Sequence, residues 1–141
     1  MRPETADYLA KARECLNAAI AVNAFPLPQV AAKETYLSAF HAVHAYVFET
    51  TGRVVKSHGG MRTMFAQLAR DGARIDPSFP SLPGRLYKFK EVADYAVGPG
   101  AAVALSEASG AIDVASRFLD AIAAIVSSEH LPSRTPDDPG G

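Results

Sequence analysis

The run Lys56-Ser57-His58-Gly59-Gly60-Met61-Arg62 places one imidazole between two cations and against two glycines, with Arg53 five positions before the histidine. An unperturbed histidine ionises near ~6.5, so His58 is suited to proton transfer at neutral pH. If Ser57 caps a helix here, the first backbone amides of that helix point toward any bound anion. Arg53, Lys56 and Arg62 would add positive charge around it. The chemistry is acid–base work on a phosphate, or the binding of one. The bland alternative is a solvated turn with a capping histidine.

His41 and His44 are three apart and share one helix face, which could supply two metal ligands. A third ligand is missing. Glu34 is two turns away, and neither His-Glu-x-x-His nor the paired Glu-x-x-His of di-iron bundles occurs. Both histidines are therefore expected at the core edge, hydrogen-bonded locally, with no metal and no cofactor. A further polar set lies in "RLYKFKEVADYAV". Arg85, Lys88 and Lys90 could form a basic face there, followed by Asp94 and Tyr95, and Asp94 can pair with Lys90 one turn back. A solvated helix face is the simpler account of this set. The Gly-x-Ser-x-Gly elbow, the phosphate-binding P-loop and the dinucleotide glycine fingerprint are all absent from the sequence. Cys15, the only cysteine, sits in an amphipathic stretch and is expected to be a packed thiol.

The elements that must hold these residues are helices. Leu9, Ala12, Leu16, Ala19, Ile20 and Asn23 recur at helical steps over residues 4–23. Pro26 and Pro28 interrupt them, and Pro28 suits the first turn of a second helix to about residue 50. Leu37, Phe40, His41, His44, Val47 and Phe48 make its stripe, and Gly52 suits a left-handed cap. A third helix over 58–70 carries Met61, Met64, Phe65 and Leu68. Residues 72–84, with three prolines, are expected to be loop. A fourth helix follows from Arg85, with Leu86, Phe89, Val92 and Ala93 inward, and Gly98-Pro99-Gly100 ends it. A fifth runs over about 106–128, with Ser106 as cap and Ile112, Ala115, Phe118, Leu119, Ile122 and Val126 inward.

The fold class expected is all-α, a single-domain bundle of four to five helices over residues 1–130, with a disordered tail at 131–141. With 141 residues, 48% hydrophobic and 21% charged, the chain is ordinary for one globular domain. A net charge of −1 gives no global field for nucleic acid, so such binding needs a local basic patch. One cysteine forms no internal disulfide, which suits a reducing cytoplasm. The charged start "MRPETADYLAKARE" does not read as a signal peptide, and the most apolar stretch carries Asp113, Arg117 and Asp120, so no membrane span is expected.

Taken in order, "ETYLSAFHAVHAYV", "GRVVKSHGGMRTMF", "LYKFKEVADYAVG" and "EASGAIDVASRFLDAI" resemble the small stand-alone prokaryotic subgroup of the HEPN superfamily, over about residues 5–127. The resemblance implies a helical bundle, a homodimer, and a metal-independent ribonuclease or toxin-like component paired with a small nucleotidyltransferase antitoxin. Ribonucleases of that superfamily carry an Arg and, a few residues on, a His near the start of the helix matching the fourth here. In this chain Arg85 has no such histidine, and Lys90 stands where the subgroup often has arginine. Its only Arg-x4-His is Arg53 to His58. Under this reading His58 moves the proton and Arg53 acts with it, while Lys56, Arg62, Lys90, Asp94 and Tyr95 contact RNA or nucleotide. The alternative is a non-catalytic HEPN module that binds nucleotide, RNA or a nucleotidyltransferase partner. A metal-binding bundle built on His41 and His44 ranks last.

Overall fold

The computed structural model describes residues 1–25, 27–72, 75–95, 97 and 103–128, apart from the side chain of Ala93. Pro26, the Gly98-Pro99-Gly100 terminator and the tail at 131–141 lie outside the described residues. Among the described residues five helices form: α1 (Pro3–Asn23), α2 (Pro28–Thr51), α3 (His58–Asp71), α4 (Leu82–Tyr95) and α5 (Leu105–Val126). The all-helical bundle expected from the apolar periodicity is present, and among the described residues there is no strand. No described helix is long and apolar enough to cross a membrane.

α2 is the axis, and the other four helices pack on it. Its stripe is wider than the sequence suggests. Tyr36, Ala39, Val43 and Val47 are fully buried, while His41, His44 and Phe48 are only half-buried. Alanines at 31, 32, 39, 42 and 45 are also sealed, and their small size lets neighbouring backbones approach. The buried Ser38 hydroxyl donates to the carbonyl of Ala12 at 2.8 Å, so a polar group is satisfied across the α1–α2 contact. α1 runs antiparallel to α2, and also to α5, where Arg13 meets Asp120 at 2.9 Å and Asn23 meets Ser109 at 3.2 Å. Ile20 leaves the core stripe of α1 and is 52% exposed. The main core gathers Leu16, Tyr36, Met61, Phe65, Phe118 and Ile122.

Helix ends differ in part from expectation. Pro28 stands in the first turn of α2, and Gly52 caps its end at φ 70°, a left-handed geometry that favours glycine. Ser57 caps α3 by accepting the Gly60 N–H at 3.0 Å. α4, however, begins at Leu82, three residues before Arg85. Pro83 lies in its first turn, where a missing N–H costs nothing. The turn before it is fastened by Asp76, which accepts from both the N–H and the hydroxyl of Ser78. α5 begins at Leu105, so Ser106 lies inside it. Glu107 does the capping instead, accepting the Ala104 N–H at 3.1 Å.

One buried clasp is not foreshadowed by any motif. Glu49, 9% exposed near the end of α2, accepts from the backbone N–H of Arg2 at 2.8 Å and from the Thr5 hydroxyl at 2.9 Å. Thr5 is fully buried. Glu49→Ala strands that hydroxyl and should destabilise the fold by about 1–3 kcal/mol, whereas Glu49→Gln, which keeps an acceptor, should cost less. Denaturant unfolding of the two variants checks this ordering, and equal stability of Glu49→Ala and wild type would contradict the clasp.

Candidate functional site

Three helices each present one row of side chains to a common corner. α2 offers Lys33, Tyr36 and Phe40, spaced by three and four. α3 offers His58 and Arg62, one turn apart. α4 offers Tyr87, Lys90 and Asp94, again spaced by three and four. The rows meet because the linker at 53–57 carries the chain back from the end of α2 to the level of Phe40. α3 then starts with His58 lying on the Phe40 ring, centroids 4.1 Å apart and planes 11° apart. The start is tightly made. A side chain on Gly60 would meet Ser57 Oγ at 2.6 Å, so the cap itself demands glycine, while Gly59 faces open space.

Tyr36 is 0% exposed, and its hydroxyl lies 2.6 Å from His58 Nδ1. Arg62 Nη1 donates to the same oxygen at 3.4 Å. The Arg62 guanidinium sits 4.2 Å from the centre of the Tyr87 ring, a cation–π contact. Tyr87 in turn meets Tyr36 edge-on at 5.2 Å. Lys90 Nζ lies 5.8 Å from the rings of both Tyr87 and Tyr95, and it is bound to Asp94 at 2.8 Å. The other oxygen of Asp94 accepts from Lys33 at 2.7 Å.

These contacts favour one placement of the protons. Burial raises the Tyr36 pKa, with Arg62 opposing, so the phenol keeps its proton. The arginine is only a donor, and the sole acceptor paired with that buried hydroxyl among the described residues is His58 Nδ1. Tyr36 therefore donates to Nδ1, and the neutral ring carries its hydrogen on Nε2. Burial lowers the His58 pKa, followed by the charges of Lys90 and Arg62, so the neutral ring is the favoured form. Around the ring the corner then presents His58 Nε2–H, Arg62 and Lys90 as donors, and suits an anion.

The sequence-derived candidates divide. His58, Arg62, Lys90 and Asp94 come together. Tyr95 joins through Lys90, and is itself 74% exposed. Arg53 and Lys56 are exposed on the linker, and the charges acting on His58 are those of Lys90 and Arg62 instead. Arg85 is spent on the carbonyl of Ser78 at 2.9 Å. Sequence reasoning passes over Lys33, Tyr36, Phe40 and Tyr87. The signal was a lysine and a tyrosine three positions apart on each of two helices, Lys33 with Tyr36 and Tyr87 with Lys90.

His41 and His44 stand apart from this chemistry. Among the described residues no group of three or more His, Cys, Asp or Glu is arranged to hold a metal ion. His41 lines a cavity of about 280 Å³ with Cys15 and Glu34. Burial, then Glu34, pushes the Cys15 thiol up to about 11, so it is a poor nucleophile. No known family model matches the chain, and no curated protein does.

His44 packs between Tyr8 and Phe40, with its Nε2 buried and, among the described residues, without a hydrogen-bond partner. Burial, then the charges of His41 and His58, lowers its pKa from 6.5 to about 4. As pH falls through 6.5 the unfolded chain takes up the proton first, so the folded state loses stability progressively down to about 4. His44→Leu should flatten stability against pH across that window, as read by denaturant melts at several pH values. An unchanged slope would contradict the assignment.

Proposed function

We propose that this chain is a HEPN-type module that binds a phosphate-bearing ligand, RNA or a nucleotide, at the corner of α2, α3 and α4 and does not cleave it. The observation that supports this most is the 2.6 Å contact between the buried Tyr36 hydroxyl and His58 Nδ1, which we read as donation by the phenol. A general base for 2′-hydroxyl attack needs a bare Nε2. Baring it puts the hydrogen on Nδ1, turns Tyr36 into an acceptor, and leaves the phenol proton unpaired in the core at a cost of about 1–3 kcal/mol. The arrangement favours donation to an anion over abstraction of a proton. The HEPN resemblance adds a homodimer and a nucleotidyltransferase partner to this proposal.

Ribonuclease or toxin activity is the second reading. In its favour, His58 stands with Arg62 and Lys90, the acid–base group and cations that cleavage without metal requires. The two readings part on one experiment. A labelled single-stranded RNA and a nucleotide are titrated against the protein with chelator present, and the RNA is examined for cleavage. Binding without cleavage is expected, weakening steeply with salt. Arg62→Ala or His58→Ala should reduce affinity roughly tenfold, the scale of one charge-assisted hydrogen bond. Arg53→Ala on the exposed linker should matter less. Cleavage that disappears in His58→Ala would overturn the binding-only reading in favour of the nuclease.

A further inference from the structure

Lys33 takes part in none of the contacts to His58, yet it is joined to the same corner by a carboxylate. Asp94 uses one oxygen for Lys33 on α2, at 2.7 Å, and the other for Lys90 on α4, at 2.8 Å. Two ammonium groups from different helices are thus held beside each other by a single two-oxygen anion. A phosphate offers the same bridge with equal or greater charge. The site is at the surface but partly covered, with side-chain exposures of 39% for Lys33, 19% for Lys90 and 20% for Asp94.

The bridge is of a displaceable kind. Partly exposed ion pairs hold weakly, and lysine placed four residues before aspartate is the less favourable helical order. Asp94 also has no other hydrogen-bond partner among the described residues to hold it in place. Lys90, by contrast, is shared. Its charge acts on His58, and its ammonium lies equally far from the Tyr87 and Tyr95 rings. It therefore stands between the His58–Arg62 donors and Lys33.

We infer that Lys33 and Lys90 form a second anion subsite, spanned within the chain by Asp94, and that a ligand with two neighbouring phosphates displaces this carboxylate. One phosphate takes His58 and Arg62, and the next takes Lys90 and Lys33. Asp94 then acts as a built-in competitor for the second subsite, which a diphosphate has to displace and which a single phosphate on His58 and Arg62 leaves in place. This rests on the binding reading of the His58 corner and extends it to the spacing of the ligand's charges. A nucleoside diphosphate and a nucleic-acid strand both present that chemistry.

The test is calorimetric titration of wild type, Asp94→Asn, Lys33→Ala and His58→Ala, each first shown to melt cooperatively, with inorganic pyrophosphate and inorganic phosphate. Asp94→Asn should bind pyrophosphate more tightly by roughly three- to tenfold, the scale of one or two exposed ion pairs. Lys33→Ala should weaken pyrophosphate by a similar factor and leave phosphate unchanged. If Asp94→Asn binds pyrophosphate no better or worse, Asp94 only positions Lys90 and the inference is overturned. Pyrophosphate affinity indifferent to Lys33→Ala overturns it as well. If Asp94 and Lys33 variants behave as expected while His58→Ala binds like wild type, the second subsite stands and the His58 reading falls. No binding by wild type or Asp94→Asn removes both. With ADP and a short RNA as further probes, tightening in Asp94→Asn confined to one of them assigns the two phosphates to nucleotide or to strand.

Discussion

Tyr36 is sealed inside the bundle, and its hydroxyl has to donate to something. The acceptor it finds is the ring of His58, on a different helix. A phenol left unpaired there would cost as much as several surface contacts return. The need to satisfy it fixes the tautomer, the plane and the depth of the histidine together. Phe40 supplies the flat floor on which the ring lies, and Arg62 reaches the same oxygen from one turn further along α3. The positive charge at the corner follows from this arrangement, since Arg62 is held over Tyr87 and Lys90 stands beside it.

The corner depends on α2 being the shared wall. It contributes the buried hydroxyl, the aromatic floor and Lys33, while burying its remaining faces against α1 and α5. Both ends of α2 are tied to the rest of the fold. Glu49 draws the N-terminus of the chain onto its far end, and the Lys33–Asp94 pair joins its near end to α4. Changes that loosen α2 would therefore be felt at His58 even though they touch none of its neighbours, because packed elements transmit strain.

The helices were legible because proline and glycine punctuate this chain and alanine, leucine and phenylalanine recur at helical steps. Gly52 and Ser57 could be assigned their capping roles from local chemistry alone. The start of α4 was not legible. Three prolines in succession look like loop, and only the neighbouring turn shows that Pro83 fits a first helical turn. Ser106 looks like a cap, but Glu107 reaches back one residue further. For the site, His58, Arg62, Lys90 and Asp94 were visible as residue types with suitable spacing. Their partners Tyr36, Phe40 and Tyr87 were not, because an aromatic ring on a helix that packs against others looks like core. Arg53, five positions from His58 in sequence, looked a closer partner than Tyr36, twenty-two away. The returning linker reverses that order, and no local pattern records it.

The state of one ring carries the account. Long-range proton–nitrogen correlation spectra of the His58 side chain, on 15N-labelled protein near pH 7.5, read its tautomer directly. A neutral imidazole protonated at Nε2, changing toward a mixture of tautomers in Tyr36→Phe, is the result this structure predicts. A ring protonated at Nδ1 in the wild-type protein would contradict it, and would return His58 to the role of a base.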